Sequence, residues 1–150
     1  MSTETPDQEP AMKATPQVDE IFLDEPWITI RWDGTRRCLM SEWKAFATTV
    51  EFRAALMKVI DTIRKKRVRG YLSDTRKLRL IVERDQKWAH DVWAPLAVEA
   101  GLKRLAFVIA ESGLGKLTVE ELVRMENDQR LLIHTFDAFG PARRWIEEAG

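Results

Sequence analysis

Residues 105–110 read Leu-Ala-Phe-Val-Ile-Ala, an unbroken apolar run in a chain that is 32% charged. No other feature constrains the fold as much. A strand with one wet face alternates polar and apolar residues, so an uninterrupted run of strand length reads as a central strand buried on both faces.

Around it the pattern alternates between period two and period 3.6. Trp27-Ile28-Thr29-Ile30-Arg31-Trp32 alternates and reads as a half-buried strand. Asp33-Gly34 then predicts a tight hairpin with positive φ at both central residues, and residues 35–40 the returning strand. Thr48 with Glu51 fits a capping box for a helix carrying Phe52, Leu56, Val59, Ile60 and Ile63 on one stripe. The cations of 64–67 close that helix, with Gly70 as its expected cap. Residues 71–73 form a short strand ending at Asp74, and 78–82 an apolar patch or turn. A helix is expected over 83–100, with Pro95 kinking or stopping it and Gly101 capping it. Thr118 with Glu121 predicts a second capping box and a helix to 128. Residues 131–135 read as the last strand and 138–149 as the last helix, its start delayed by Gly140-Pro141. A hairpin followed by αβαβαβα implies an α/β fold with a mixed sheet of four to five strands, mostly parallel and covered by helices.

Residues 1–20 hold Pro6, Pro10, Pro16 and mostly acids among their charges, too little apolar surface to offset ordering entropy. They read as a disordered acidic tail before an α/β domain at 21–150. The start of the chain has no apolar segment of the signal-peptide kind, and Cys38 alone makes no internal disulfide. Both point to a cytoplasmic protein with no membrane span. Lysine plus arginine equals aspartate plus glutamate at 24 each, which argues against a nucleic-acid partner on net charge.

Several segments in order resemble a known family: Glu42-Trp43-Lys44-Ala45-Phe46-Ala47; Leu72-Ser73-Asp74-Thr75-Arg76-Lys77-Leu78; Arg84-Asp85-Gln86-Lys87-Trp88; Asp91-Val92-Trp93-Ala94-Pro95; Ala100-Gly101-Leu102-Lys103-Arg104-Leu105-Ala106-Phe107-Val108; and Phe136-Asp137 with Ala142 and Trp145. Over about residues 21–148 the chain looks like the SpoIIAA-like group of STAS-type domains, in particular the stand-alone bacterial ones. The resemblance implies helices packed mainly on one face of the sheet. It also implies a regulatory protein–protein interaction role without enzymatic activity. Related folds hold a lipid, which leaves a second reading open: a small apolar ligand in a pocket between helices and sheet. STAS antagonists are switched by phosphorylation of a serine at a helix N-terminus. Here residues 81–85 are Ile-Val-Glu-Arg-Asp, with no hydroxyl to phosphorylate.

No catalytic constellation, metal-ligand spacing or cofactor motif is found. Gly113-Leu114-Gly115-Lys116 stands where a phosphate loop would, but Ala110 occupies a required glycine position and Leu117 the hydroxyl position. Lys116 remains a candidate weak anion contact. Asp74 ends a parallel strand, where α/β folds bind ligands, with Arg76 beside it; a local turn-stabilising pair is the alternative. Six tryptophans in 150 residues are many. Trp27 and Trp32 differ in strand parity, so one of them is expected to face away from the core. Trp88 and Trp93 differ by about 140° on an α-helix, so they are not expected to share one narrow stripe. Exposed aromatics would suit a partner surface or pocket rim, and the alternative is that a small core needs large side chains. Trp43, Asp74, Arg76, Trp88, Trp93 and Lys116 are therefore the candidate binding residues. His90-Asp91 is adjacent in sequence, and adjacent helical side chains do not face each other. The basic run 64–69 is either a phosphate or acidic-protein contact or a solvated helix end. An apolar surface patch would also suit a homodimer.

Overall fold

The computed structural model describes residues 19–150. The tail expected over 1–20 lies outside the described residues except for Asp19 and Glu20, and Glu20 already opens a strand.

Among the described residues six strands form one mixed sheet, β1 Glu20–Glu25, β2 Ile28–Asp33, β3 Cys38–Trp43, β4 Gly70–Asp74, β5 Arg104–Val108 and β6 Leu132–Phe136. Their spatial order is their chain order. The first three pair antiparallel, and β3 to β6 are parallel. The expectation of four to five strands is corrected to six. The missed strand is β1, whose end residues are charged and whose burial is slight, as suits a sheet edge.

The hairpin turn is also corrected. Asp33 pairs with Cys38, so the loop is four residues long rather than two. Within it Arg37 takes the left-handed conformation at φ 54. Asp33 Oδ1 accepts the Thr35 and Arg36 amides at 3.0 and 3.1 Å, an Asx turn that replaces the glycine-dependent one.

Helix α1 (Thr49–Lys66) begins at the expected capping box, with both reciprocal bonds made. It ends on Arg67 at φ 55, not on Gly70. Gly70 serves a different need: a Cβ there would stand 2.6 Å from the Ile146 carbonyl oxygen. Next come α2 (Glu83–Trp88), a π-helical turn (Ala89–Trp93) and α3 (Ala94–Ala100). The Ala94 amide bonds to the Ala89 oxygen, five residues back. Pro95 neither stops this helix nor leaves it regular: lacking an N–H and crowding the carbonyl four residues earlier, it sits just past the widened turn that accommodates it. Gly101 caps α3 at φ 113, as expected.

Helix α4 (Leu114–Met125) starts four residues before the expected Thr118 cap. Thr118 lies inside it, donating to the Leu114 oxygen at 2.9 Å and accepting the Ile81 amide at 3.1 Å. The sequence pattern of a capping box is local, whereas the hydroxyl is committed to a bond 37 residues away. Helix α5 (Phe139–Glu147) closes the fold.

Each parallel step is a strand–helix–strand crossover, and a run of crossovers in one direction puts its helices on one face. Alternation then sorts the side chains. Ile28, Ile30, Trp32, Leu39, Tyr71, Leu105 and Phe107 pack with α1, α3 and α4. Cys38, Leu72, Ala106 and Val108 pack with Ala142 and Ile146 of α5 on the far face. Burying a Leu or Ile side chain in the larger core contributes about 1.5–3 kcal/mol. The parity argument for Trp27 does not hold, because Trp27 precedes β2 in a turn; it packs partly buried against the same core as Trp32.

Candidate functional site

Strands β3, β4 and β5 each run into a helix at their carboxyl ends, and the three helix starts are tied side by side. The Thr49 hydroxyl donates to Asp85 Oδ2 at 3.0 Å, and Arg53 Nε donates to Asp85 Oδ1 at 3.2 Å. Arg84 Nε reaches the Thr49 hydroxyl at 3.1 Å. Asp85 is 2% exposed, so its charge is removed from water and compensated by these donors and by the first turn of α2. On the other side the Ile81 amide bonds to Thr118, and Gly115 lies so close under the Leu78 oxygen that a Cβ there would come within 2.1 Å of it. This rim is therefore held from α1 through residues 78–85 to α4. It nevertheless presents apolar side chains to water: Val50 is 79% exposed, Leu117 58%, and Phe46 and Leu114 are exposed beside them in sequence.

Behind the rim, between helices and sheet, is an aromatic-lined cavity. Trp43, Phe52, Tyr71 and Trp93 line it together with Leu56, Ile81 and Phe107. Its volume is about 50 Å³, room for a few waters, whereas a cavity that takes benzene measures about 150 Å³. Trp43 Nε1 donates to Ser73 Oγ at 3.1 Å and Trp93 Nε1 to the Leu56 oxygen at 2.7 Å. The Tyr71 hydroxyl pairs with Ser41 Oγ at 2.5 Å. Burial pushes the Tyr71 phenol up to about 12, against the smaller opposing effect of hydrogen bonds from Ser41 and Ser73. His90, on the π turn, also lines the cavity. Its Nδ1 lies 2.8 Å from Asp91 Oδ1, so these neighbours do meet, contrary to expectation for an α-helix. The π turn winds more widely than an α-helix, so the spacing rule for regular helices does not govern this pair. The His90 bond and then Lys87 hold the Asp91 carboxyl below its ordinary value.

The six candidate residues fall in separate places. Trp43 and Trp93 share the cavity wall. Trp88 is half-buried against the same core and lies under the Arg53 guanidinium, 5.2 Å from its ring centroid. The π turn, closed by a five-residue bond, brings Trp88 and Trp93 toward one side, which the 140° argument for a regular α-helix excluded. Asp74 and Arg76 face a polar groove of about 390 Å³ on the far side of the sheet, with Arg31, Asp33, Glu42 and Arg143. They form a forked pair at 2.8 and 3.0 Å, which raises the Arg76 pKa. Lys116 Nζ donates to the Glu111 carbonyl oxygen at 3.4 Å. The basic run ends α1 at the opposite end of the sheet from the rim, where Arg64, Lys65, Arg67 and Arg69 are exposed.

Sequence reasoning missed Tyr71, Ser41 and Ser73 as one buried polar cluster, and Thr49 with Asp85 as a clamp. One signal was present: Ser41 and Ser73 occupy core-facing parity positions in their strands. Among the described residues no group of three or more His, Cys, Asp or Glu is placed to hold a metal ion, and no helix is long and apolar enough to cross a membrane. No protein-family model matches the chain, and no curated protein matches it.

Proposed function

We propose that this chain is a non-enzymatic, cytoplasmic interaction module of the STAS-like kind, which docks a protein partner on the rim at the carboxyl ends of β3, β4 and β5. The observation that carries the reading is the combination found there: exposed Val50, Leu114 and Leu117 on helix starts that are clamped to one another. Apolar side chains held rigidly in water lose little conformational entropy when a partner covers them. The order of elements and the three helices sharing one face support the likeness to the SpoIIAA-like group. The phosphorylation switch of STAS antagonists has no counterpart at the start of α2. Of the two acids in that first turn, Glu83 is exposed, and Asp85 is buried and held by Thr49 and Arg53.

A photo-crosslinking residue placed at Val50 or Leu117 tests this in native cells. Discrete protein adducts are expected from both positions, and their loss when the other position carries Asp. The same adducts from position 69 at the opposite end, or none from the rim, would sink the idea.

The second reading, a binder of a small apolar ligand, draws on the cavity lined by Trp43, Tyr71 and Trp93. Its volume weighs against it, because a lipid chain needs several times the present space. Native mass spectrometry of gently purified protein checks it: a reproducible added mass, displaced by Ala94→Trp, supports ligand binding, and a bare chain after exposure to lipid extract refutes it.

A further inference from the structure

We infer that two copies of this chain pair edge to edge through β6, antiparallel, with His134 on the two-fold axis. The sheet has two edges of contrasting chemistry. β1 carries Glu20, Asp24 and Glu25 and a register break between Ile21 and Leu23, devices that discourage pairing with another sheet. β6 is Leu-Ile-His-Thr-Phe, with no acid, lysine, arginine or proline and an unbroken register against β5. Among the described residues no strand pairs with its outer side.

The free hydrogen-bonding groups can be assigned. The Leu132 amide donates to the Lys103 oxygen, and the Phe136 oxygen accepts the Ile109 amide. In a parallel strand the groups of alternate residues point the same way, so Leu132, His134 and Phe136 bond inward to β5. Ile133 and Thr135 point their amides and carbonyls outward. A second β6 running antiparallel about His134 sets Ile133 opposite Thr135 of the second copy, as a pair that exchanges both bonds. His134 then meets His134, and Leu132 meets Phe136 of the second copy.

That register is self-complementary. Leu132 is 51% exposed and gains an aromatic neighbour on the far face of the sheet. His134 is already held flat on Trp145, with centroids 4.6 Å apart and planes at 9°, and Phe136 packs on the same indole at 5.8 Å. The aromatic row of one copy therefore continues into that of the next. A second copy satisfies all of these at once. This inference does not rest on the rim reading, since the rim helix starts and β6 are separate surfaces.

Sedimentation equilibrium and a single-cysteine crosslink test it on the full chain. A dimer of the 17.4 kDa chain is expected at micromolar concentration. His134→Cys is expected to oxidise to a covalent dimer, because facing residues of a non-hydrogen-bonded pair have Cα atoms about 4.5 Å apart, within disulfide reach. Ile21→Cys on the opposite edge is expected not to, and buried Cys38 does not interfere. Thr135→Pro removes an outward amide and spares the β5 ladder; Leu132→Lys attacks the same junction without touching the backbone. Each is expected to weaken the dimer at least tenfold, with the circular dichroism of Leu132→Lys unchanged. A monomer at all concentrations overturns the inference. So does a dimer indifferent to Leu132→Lys whose His134→Cys form does not crosslink.

Discussion

The Tyr71 hydroxyl lies 2.5 Å from Ser41 Oγ in a region otherwise walled by Trp43, Phe52 and Trp93. Both groups are buried; Tyr71 also has a hydrogen bond from Ser73, whereas Tyr71 is the side chain that pairs with Ser41. Tyr71→Phe leaves Ser41 without its partner, and the cost is expected to be about 1–3 kcal/mol. Adding Ser41→Ala to Tyr71→Phe removes the orphan and is expected to recover part of that loss. Urea unfolding of the two single variants and the double variant measures the coupling; strict additivity would show that the bond does not matter.

Tyr71 is the sole tyrosine in the chain, so phenolate absorbance reports it without overlap. Its ordinary value is 10.0, and burial pushes it up to about 12. Below pH 10 both folded and unfolded chains keep the proton, and the stabilising contribution is fully present. Between pH 10 and about 12 the unfolded chain gives it up and the folded one holds it. Stability is therefore expected to fall across that window by about 1.4 kcal/mol per pH unit from this group. Titration of the native protein should show phenolate near pH 12, and in denaturant near 10; native ionisation near 10 refutes the burial argument.

Asp85 joins α1 to α2 through Thr49 and Arg53. Asp85→Ala strips both of their acceptor and is expected to destabilise by about 2–3 kcal/mol. Hydrogen exchange should also quicken in residues 49–53 and 83–88 well before it changes in β4 and β5. Uniform loss of protection would mean that the clamp is not local.

Gly115 and Gly113 are two residues apart but differ in what they require. At Gly115 the obstacle is the Leu78 carbonyl oxygen; at Gly113 space is open and the constraint is φ +106. Gly115→Ala must push one backbone segment off another and is expected to cost about 3 kcal/mol. Gly113→Ala meets no atom and faces only the penalty of a φ 106, ψ 176 backbone that is essentially reserved for glycine, about 1–3 kcal/mol. Thermal unfolding of both ranks them, and the reverse order would be decisive against the packing seen at Leu78.

Cys38 is fully buried, and its thiol is pushed up to about 12, first by burial and then by Glu147 and Asp33. Only thiolate reacts with alkylating reagents. Labelling at pH 8 is expected to follow global unfolding, quickening as dilute denaturant lowers stability. Prompt labelling of the native protein would place Cys38 at the surface.

What the sequence displayed was local. The Thr48–Glu51 capping box and the Gly101 cap are matters of a few neighbouring residues, and both stand as read. The run through 105–108 is the inner strand β5 because all its neighbours are parallel strands and its two faces meet different helices. Thr118 was misread because its local pattern equals that of a cap, while a distant amide claims its hydroxyl. The Asp33-Gly34 turn was misread because Asp33 can build an Asx turn that does not need glycine. The candidate site was less legible still. The cavity wall takes residues from β3, α1, β4 and the π turn, and no periodicity records which of them meet. The π turn itself shows in sequence only as Pro95.

The agreement between strand order and chain order has a consequence for synthesis. Each strand as it emerges finds its only inner neighbour already made, and none has to be threaded between two that have paired. The sheet can grow from one side as the ribosome delivers it, with helices laid on in the same sequence. β6 is the final strand delivered, and α5 the piece that covers Cys38, Leu72, Ala106 and Val108 from the far side. A nascent chain halted before residue 139 would carry a finished helical layer on one face and bare hydrocarbon on the other, so the last dozen residues are what separate a growing sheet from a sealed one.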